Sequence, residues 1–119
     1  MSLSQITAYR LITGGSNSRI SVDNFPYSGI VLTHSEDAIV TDSASSATAY
    51  STGFKTNNGA LGLDKDLNNL ENLTEKIDKF GYISSLISTS EITHATPAAF
   101  AAHVDLRWKT DEILSLIHI

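Results

Sequence analysis

The sequence predicts an α/β layered fold with a mainly parallel sheet. Two short β-rich runs, SGIVLTH at 28–34 and YISSLIS at 82–88, are separated by stretches with helical patterning. The second run directly follows the clearest amphipathic stretch, NNLENLTEKIDKFG at 68–81. The chain has 119 residues, which suits one domain or part of a larger one. Two strands are few for a sheet of this type, since sheets average about 5–6 strands, so the layered fold is expected to be incomplete.

Taken in order, residues 3–12 space Leu3, Ile6 and Leu11 at loose helical intervals, and Gly14-Gly15 ends that helix. Residues 28–34 follow as the first strand. Residues 40–53, VTDSASSATAYSTG, are almost entirely small. In 68–81, Leu70, Leu73, Ile77 and Phe80 share one helical face. Glu71 stands in the first turn, and Lys76 and Lys79 stand near the end, both favourable to the helix dipole. Gly81 suits the C-terminal cap, and 82–88 reads as a buried strand. In HATPAAFAAH at 94–103, Thr96 is expected to cap a helix whose first residue is Pro97.

Composition narrows the function classes. Hydrophobic residues make up 41% of the chain, a globular content. The formal net charge of −5 does not suggest a nucleic-acid partner. No apolar run approaches the ~20 residues of a membrane span. The sequence has no Cys, which excludes disulfides and thiolate zinc sites. The opening MSLSQITAYR lacks the basic-then-apolar layout of a signal peptide.

The small-residue stretch is the first candidate site. Ser and Thr are mediocre helix formers, whereas an Ala/Ser helix permits close backbone approach. The helix is therefore expected to be buried against the sheet. Asp42 suits the N-cap and puts Ser43 at the first helical position, where free N–H groups and the helix dipole favour an anion. Two readings stay open on these residues alone: a cap with a buried helix, or a serine nucleophile aimed at phosphorus. Downstream, Arg107 carries a planar fork of donors suited to phosphate. Thr96 has an oxygen that suits a hard cation such as Mg²⁺, and His94 lies just before it. Each of these three also has a plain reading, as surface charge, helix cap and loop residue. His34 and His103 are read as structural, because no partner stands at metal-ligand spacing.

Two long ungapped patterns, VTDSASSATAYSTGFKTNNGALGLD at 40–64 and STSEITHATPAAFAAHVDLR at 88–107, resemble the alkaline phosphatases. The opening MSLSQITAYR also looks like the segment that follows the family's metal-binding GDGM turn. The resemblance runs from Met1 to about Ile113. It implies a three-layer α/β/α sandwich with a mainly parallel sheet, of which this chain is a truncated part. It also implies hydrolysis of phosphate monoesters through a phosphoserine intermediate, with two Zn²⁺ and one Mg²⁺ as cofactors. By resemblance, Ser43 matches the nucleophile, Arg107 the arginine that holds two phosphate oxygens, and Asp42 the carboxylate that orients that arginine. Thr96 matches a magnesium ligand. His94 falls where members carry Asp or His near the magnesium site, Asp being associated with tighter binding. The family's zinc ligands lie upstream of a position like Met1 or downstream of Ile119. An intact protein of this kind is expected to be exported, periplasmic or extracellular, and to form a homodimer.

The ending LSLIHI does not continue the family pattern. It resembles the translation of an adapter used in sequencing libraries, although an ordinary apolar helix end reads the same way. The first reading divides the chain into a partial phosphatase domain at 1–113 and a non-native tail at 114–119, with His118 not a ligand. Three rivals stand beside the phosphatase. Sulfatases use a Cys/Ser-x-Pro-x-Arg context that is absent around Ser43. Phosphodiesterases of the same superfamily often use Thr. The third is a non-catalytic relic or binding domain that keeps the fold.

Overall fold

The computed structural model describes residues 2–117. Two compact units divide the chain, Met1–Val31 and Leu32–Ile119.

The first unit is built on helix α1 (Leu3–Gly14). Ser2 caps it reciprocally with Gln5: the Ser2 hydroxyl accepts from the Gln5 N–H at 3.3 Å, and Gln5 Oε1 accepts from the Ser2 N–H at 3.0 Å. The helix ends at Gly15, whose φ of 80° is one that L side chains rarely adopt. It buries none of its residues. A 3₁₀ turn at Ser21–Asn24 follows, tied back by Asp23, which accepts from the Ile20 N–H and pairs with Arg10 at 2.5 Å.

The second unit is organised around helix α2 (Ser43–Thr52). Asp42 is its N-cap, accepting from the Ser45 N–H at 2.9 Å, and Gly53 closes it in the left-handed region at φ 84°. Ala44, Ser45, Ala47, Thr48 and Ser51 are buried, as the small-residue pattern predicts. The surface they meet is not a sheet. Ala44 and Ala47 join Leu61, Val104, Ile113 and the alanines of the 95–102 segment in one apolar cluster. Alanine against alanine lets two helices approach closely, so α2 lies against α4 (Ala95–Ala98). Thr48, fully buried, ties α2 to the next loop by donating to the Ala60 carbonyl and accepting from the Gly62 N–H.

Among the described residues no strand forms. Two isolated antiparallel bridges, Leu61 with Val104 and Leu63 with Asn69, are the β pairing present. The expected strands 28–34 and 82–88 are irregular, and Ile30, Ile83 and Ile87 are almost wholly exposed. A strand needs a neighbour for its N–H and C=O groups, and no described backbone pairs with these runs in a ladder. The expected sheet is therefore not formed among the described residues.

Two helix starts also differ from expectation. The 68–81 helix shortens to α3 (Leu73–Asp78). Asn72 caps it reciprocally with Glu75, while Leu70 donates to the Gly62 carbonyl and Asn69 enters a bridge, so residues 69–70 are taken up elsewhere. The chain turns after it through Gly81, at φ 79°. Leu73 and Phe80 stay exposed on the face expected to pack. For α4 the cap is His94 and not Thr96, because the first helical bond runs from the Ala98 N–H to the His94 carbonyl. Pro97 then occupies the third helical position. Its missing N–H costs nothing there, since the first-turn N–H groups have no helical acceptor. Helix α5 (Thr110–Ile117) buries Ile113 and lays Leu116 and Ile117 against the apolar cluster. Leu114–Ile117 thus continue a regular helix, while His118 and Met1 lie outside the described residues.

Candidate active site

The start of α2 gathers the three residues expected there. Ser43 is the first helical residue. The Arg107 side chain, 12% exposed, reaches across from a turn 64 residues away and donates to Ser43 Oγ at 2.5 Å. The same Arg107 nitrogen lies 3.3 Å from Asp42 Oδ2. Its backbone is fixed by donation to the Gly59 carbonyl at 2.8 Å, and its guanidinium lies 4.9 Å from the centre of the Trp108 ring. The arginine is therefore held by a main-chain bond, a carboxylate and an aromatic face.

Asp42 performs several tasks. Besides capping Ser45, it accepts from the Ser45 hydroxyl at 3.1 Å and from the Gly59 N–H at 3.1 Å. Burial pushes its carboxyl up. The N–H groups of Ser45 and Gly59, the Ser45 hydroxyl and Arg107 together outweigh that and hold it below the ordinary carboxylate value. The ionised form is thus the one this site is built around.

The helix start remains open to a ligand. The Ser45 N–H is taken by the Asp42 carboxylate and the Ser46 N–H by the Asp42 carbonyl. The N–H groups of Ser43 and Ala44 take no partner among the described residues. Free N–H groups at the positive end of a ten-residue helix, a hydroxyl and a guanidinium converge on one point. That combination suits an anion with tetrahedral oxygens.

His94 and Thr96 stand together at the start of α4, and both are exposed. Among the described residues, no three His, Asp or Glu side chains come close enough to hold a metal ion. These residues by themselves therefore do not complete a zinc or magnesium site. His103 has a structural role, as expected: its ring bridges the Gly62 carbonyl and the Glu75 carboxylate, each at 2.7 Å. Burial pushes the Glu75 carboxyl up, and His103 and the Asn72 N–H outweigh it downward. His34 contributes its backbone carbonyl, which accepts from the Lys55 ammonium.

Sequence reasoning missed Asn58, Gly59 and Trp108. Asn58 and Gly59 sit in the NNGALG word of the family-like pattern, but nothing in their spacing connects them to Asp42, 16 and 17 residues earlier. Trp108 follows Arg107 directly, so adjacency was the available signal.

The fold and site define a helix start that bears a serine hydroxyl beside an arginine and suits an anion with tetrahedral oxygens. The chain belongs to the alkaline phosphatase family, whose model, described as Alkaline phosphatase, matches residues 1–116. Alkaline phosphatase 4 of Bacillus subtilis (strain 168) is 37% identical over 114 residues, covering 91% of this chain and 25% of the relative. The structure of alkaline phosphatase from the Antarctic bacterium TAB5 superposes with a TM-score of 0.85 at 36% identity, over 97% of this chain and 33% of that one. A His-to-Asp mutant of the TAB5 enzyme, with Mg bound in its M3 site, superposes with a TM-score of 0.84 at 35% identity, over 95% of this chain and 32% of that one. The chain thus spans about a quarter of the Bacillus relative and a third of the TAB5 chain.

Proposed function

We propose that this chain forms the nucleophile-bearing part of an alkaline phosphatase, which hydrolyses phosphate monoesters through a phosphoserine at Ser43. The observation that carries the reading is the placement of Ser43 Oγ at the first position of α2, 2.5 Å from Arg107. Arg107 holds two phosphate oxygens, and the N–H groups at the start of α2 face the same anion. Ser43 Oγ attacks phosphorus, the P–O bond to the leaving alcohol breaks, and water later attacks the phosphoserine to release phosphate. Asp42 keeps Arg107 turned toward Ser43.

In the complete enzyme two zinc ions and one magnesium ion would supply Lewis-acid stabilisation of the phosphoryl group. Thr96 and His94 are assigned to the magnesium side. A TAB5 mutant in which Asp replaces a His has Mg bound in its M3 site, which accords with placing His94, where the family carries Asp or His, beside the magnesium. We further assign the complete protein to an exported compartment, periplasmic or extracellular, and to a homodimer.

Acid-quenched mass spectrometry of the complete enzyme with a phosphate ester tests the reading. A phosphorylated peptide carrying Ser43 is expected, and it should be absent in Ser43→Ala. A phosphopeptide of normal yield in Ser43→Ala would overturn the assignment.

A further inference from the structure

Asn58 makes four hydrogen bonds at the approach to α2. Its side-chain oxygen accepts from the Asp42 N–H at 2.9 Å and from the Ser45 hydroxyl at 2.8 Å. Its side-chain nitrogen donates to the Val40 carbonyl at 3.0 Å. Its own N–H donates to Asp37 Oδ1 at 2.8 Å. Asp37 in turn accepts from the Ser35 hydroxyl at 2.9 Å, and its carboxyl is held low chiefly by that Asn58 N–H.

The pattern has a specific meaning. In a parallel ladder, one residue bonds the C=O before and the N–H after the residue it faces. The Asn58 amide does this across Thr41, bonding the C=O of Val40 and the N–H of Asp42. No main-chain ladder reaches residues 40–42 among the described residues. One side chain therefore does what a neighbouring strand would do. It fixes the two peptide planes, Val40–Thr41 and Thr41–Asp42, that lead into the residue before Ser43. Through the Ser45 hydroxyl it also touches the residue that Asp42 caps.

We propose that Asn58 is a positioning residue for phosphoryl transfer, clamping Val40–Asp42 so that Ser43 Oγ and the Asp42 carboxylate keep their places at the start of α2. The proposal rests on the reading of Ser43 as the nucleophile. The phosphate-holding side shares the Asp42 carboxylate through a long 3.3 Å contact but has two further anchors: the Arg107 backbone bonds the Gly59 carbonyl and its guanidinium packs on Trp108. Loss of the clamp should therefore misplace the nucleophile more than it weakens anion binding.

The test uses pre-steady-state kinetics of the complete phosphatase with two variants. Asn58→Ala removes the clamp. Asn58→Asp conserves volume and keeps the acceptor for the Asp42 N–H, but sets an oxygen against the Val40 carbonyl, so it opens the Val40 half of the clamp without leaving a void. Both are expected to slow phosphoserine formation ~10-fold or more, since small misplacements of reacting groups carry costs of this order. The inhibition constant for inorganic phosphate should change less than about two-fold. Thr56→Ala serves as a control for general loosening, because Thr56 is fully buried and its hydroxyl donates to the Asp64 carbonyl. It should keep the wild-type rate. Wild-type phosphoserine formation in Asn58→Asp would overturn the proposal, and so would a loss of rate matched by equal weakening of phosphate binding. If Asn58→Ala does not fold, Asn58→Asp decides alone. A Ser43→Ala control separates the two failures: phosphoserine persisting there refutes the nucleophile, whereas its loss there beside wild-type Asn58 variants refutes only the clamp.

Discussion

Replacing Asp42 by alanine removes four acceptor contacts with one substitution. The cap to the Ser45 N–H, at 2.9 Å, contributes about 1 kcal/mol, as N-cap carboxylates do. The Gly59 N–H loses a charged acceptor at 3.1 Å, and hydrogen bonds to charged groups contribute about 1.5–3 kcal/mol. The Arg107 contact is long, at 3.3 Å, and the Asp42 side chain is 29% exposed, so that pair adds at most about 1 kcal/mol. The Ser45 hydroxyl keeps Asn58 as an alternative acceptor and adds little. Asp42→Ala should therefore lower the unfolding free energy by about 3 kcal/mol, measured by urea unfolding followed by far-UV circular dichroism. Asp42→Asn keeps a capping oxygen but no charge, and should lose about half as much.

The pH dependence has a definite sign. The folded-state carboxyl of Asp42 lies below its ordinary value of 3.8. Its stabilisation is therefore complete above that value and is lost as pH falls through the lower folded-state value. The stability gap between wild type and Asp42→Asn should be constant at neutral pH and close in strong acid. A change below about 0.5 kcal/mol for Asp42→Ala, or equal losses for the two variants at pH 7, would refute the reasoning.

Arg107→Ala in the complete enzyme should raise the phosphate inhibition constant roughly 10- to 100-fold while phosphoserine still forms at saturating ester, since charge-assisted hydrogen bonds carry the binding; total loss of phosphoserine would contradict it. Gly62→Ala should destabilise the chain by about 2 kcal/mol or more, because φ is +62° and the new Cβ would lie 2.6 Å from both the Ala102 carbonyl oxygen and a His103 ring nitrogen. An unchanged thermal midpoint would show that this junction yields. The purified 119-residue chain, given zinc and magnesium, should not turn over phosphomonoesters, because the described residues bring no three metal-binding side chains together. Turnover that disappears on Ser43→Ala would show otherwise.

The sequence by itself determined what is local. An Asp before a run of small residues that ends in Gly specifies where α2 starts and stops, since the cap, the close-packing alanines and the left-handed terminator all act within a turn or two. The same locality placed Ser43 at the helix start. The residue pattern also carried the family membership, and with it the expectation that Arg107 belongs beside Ser43. Segments whose state depends on distant partners were not legible. Residues 28–34 and 82–88 have β-forming composition, but a strand is completed by another strand's backbone, and none pairs with them among the described residues. The start of α3 was decided by the Asn72–Glu75 cap together with the Leu70 bond to Gly62, and the start of α4 by which carbonyl the Ala98 N–H reached. Tertiary structure alone assigned Asn58 to Val40 and Asp42, because an amide side chain carries no record in the sequence of which peptide it will face. Hydrogen bonds between segments are fixed by packing, and packing is settled only when the whole chain has folded.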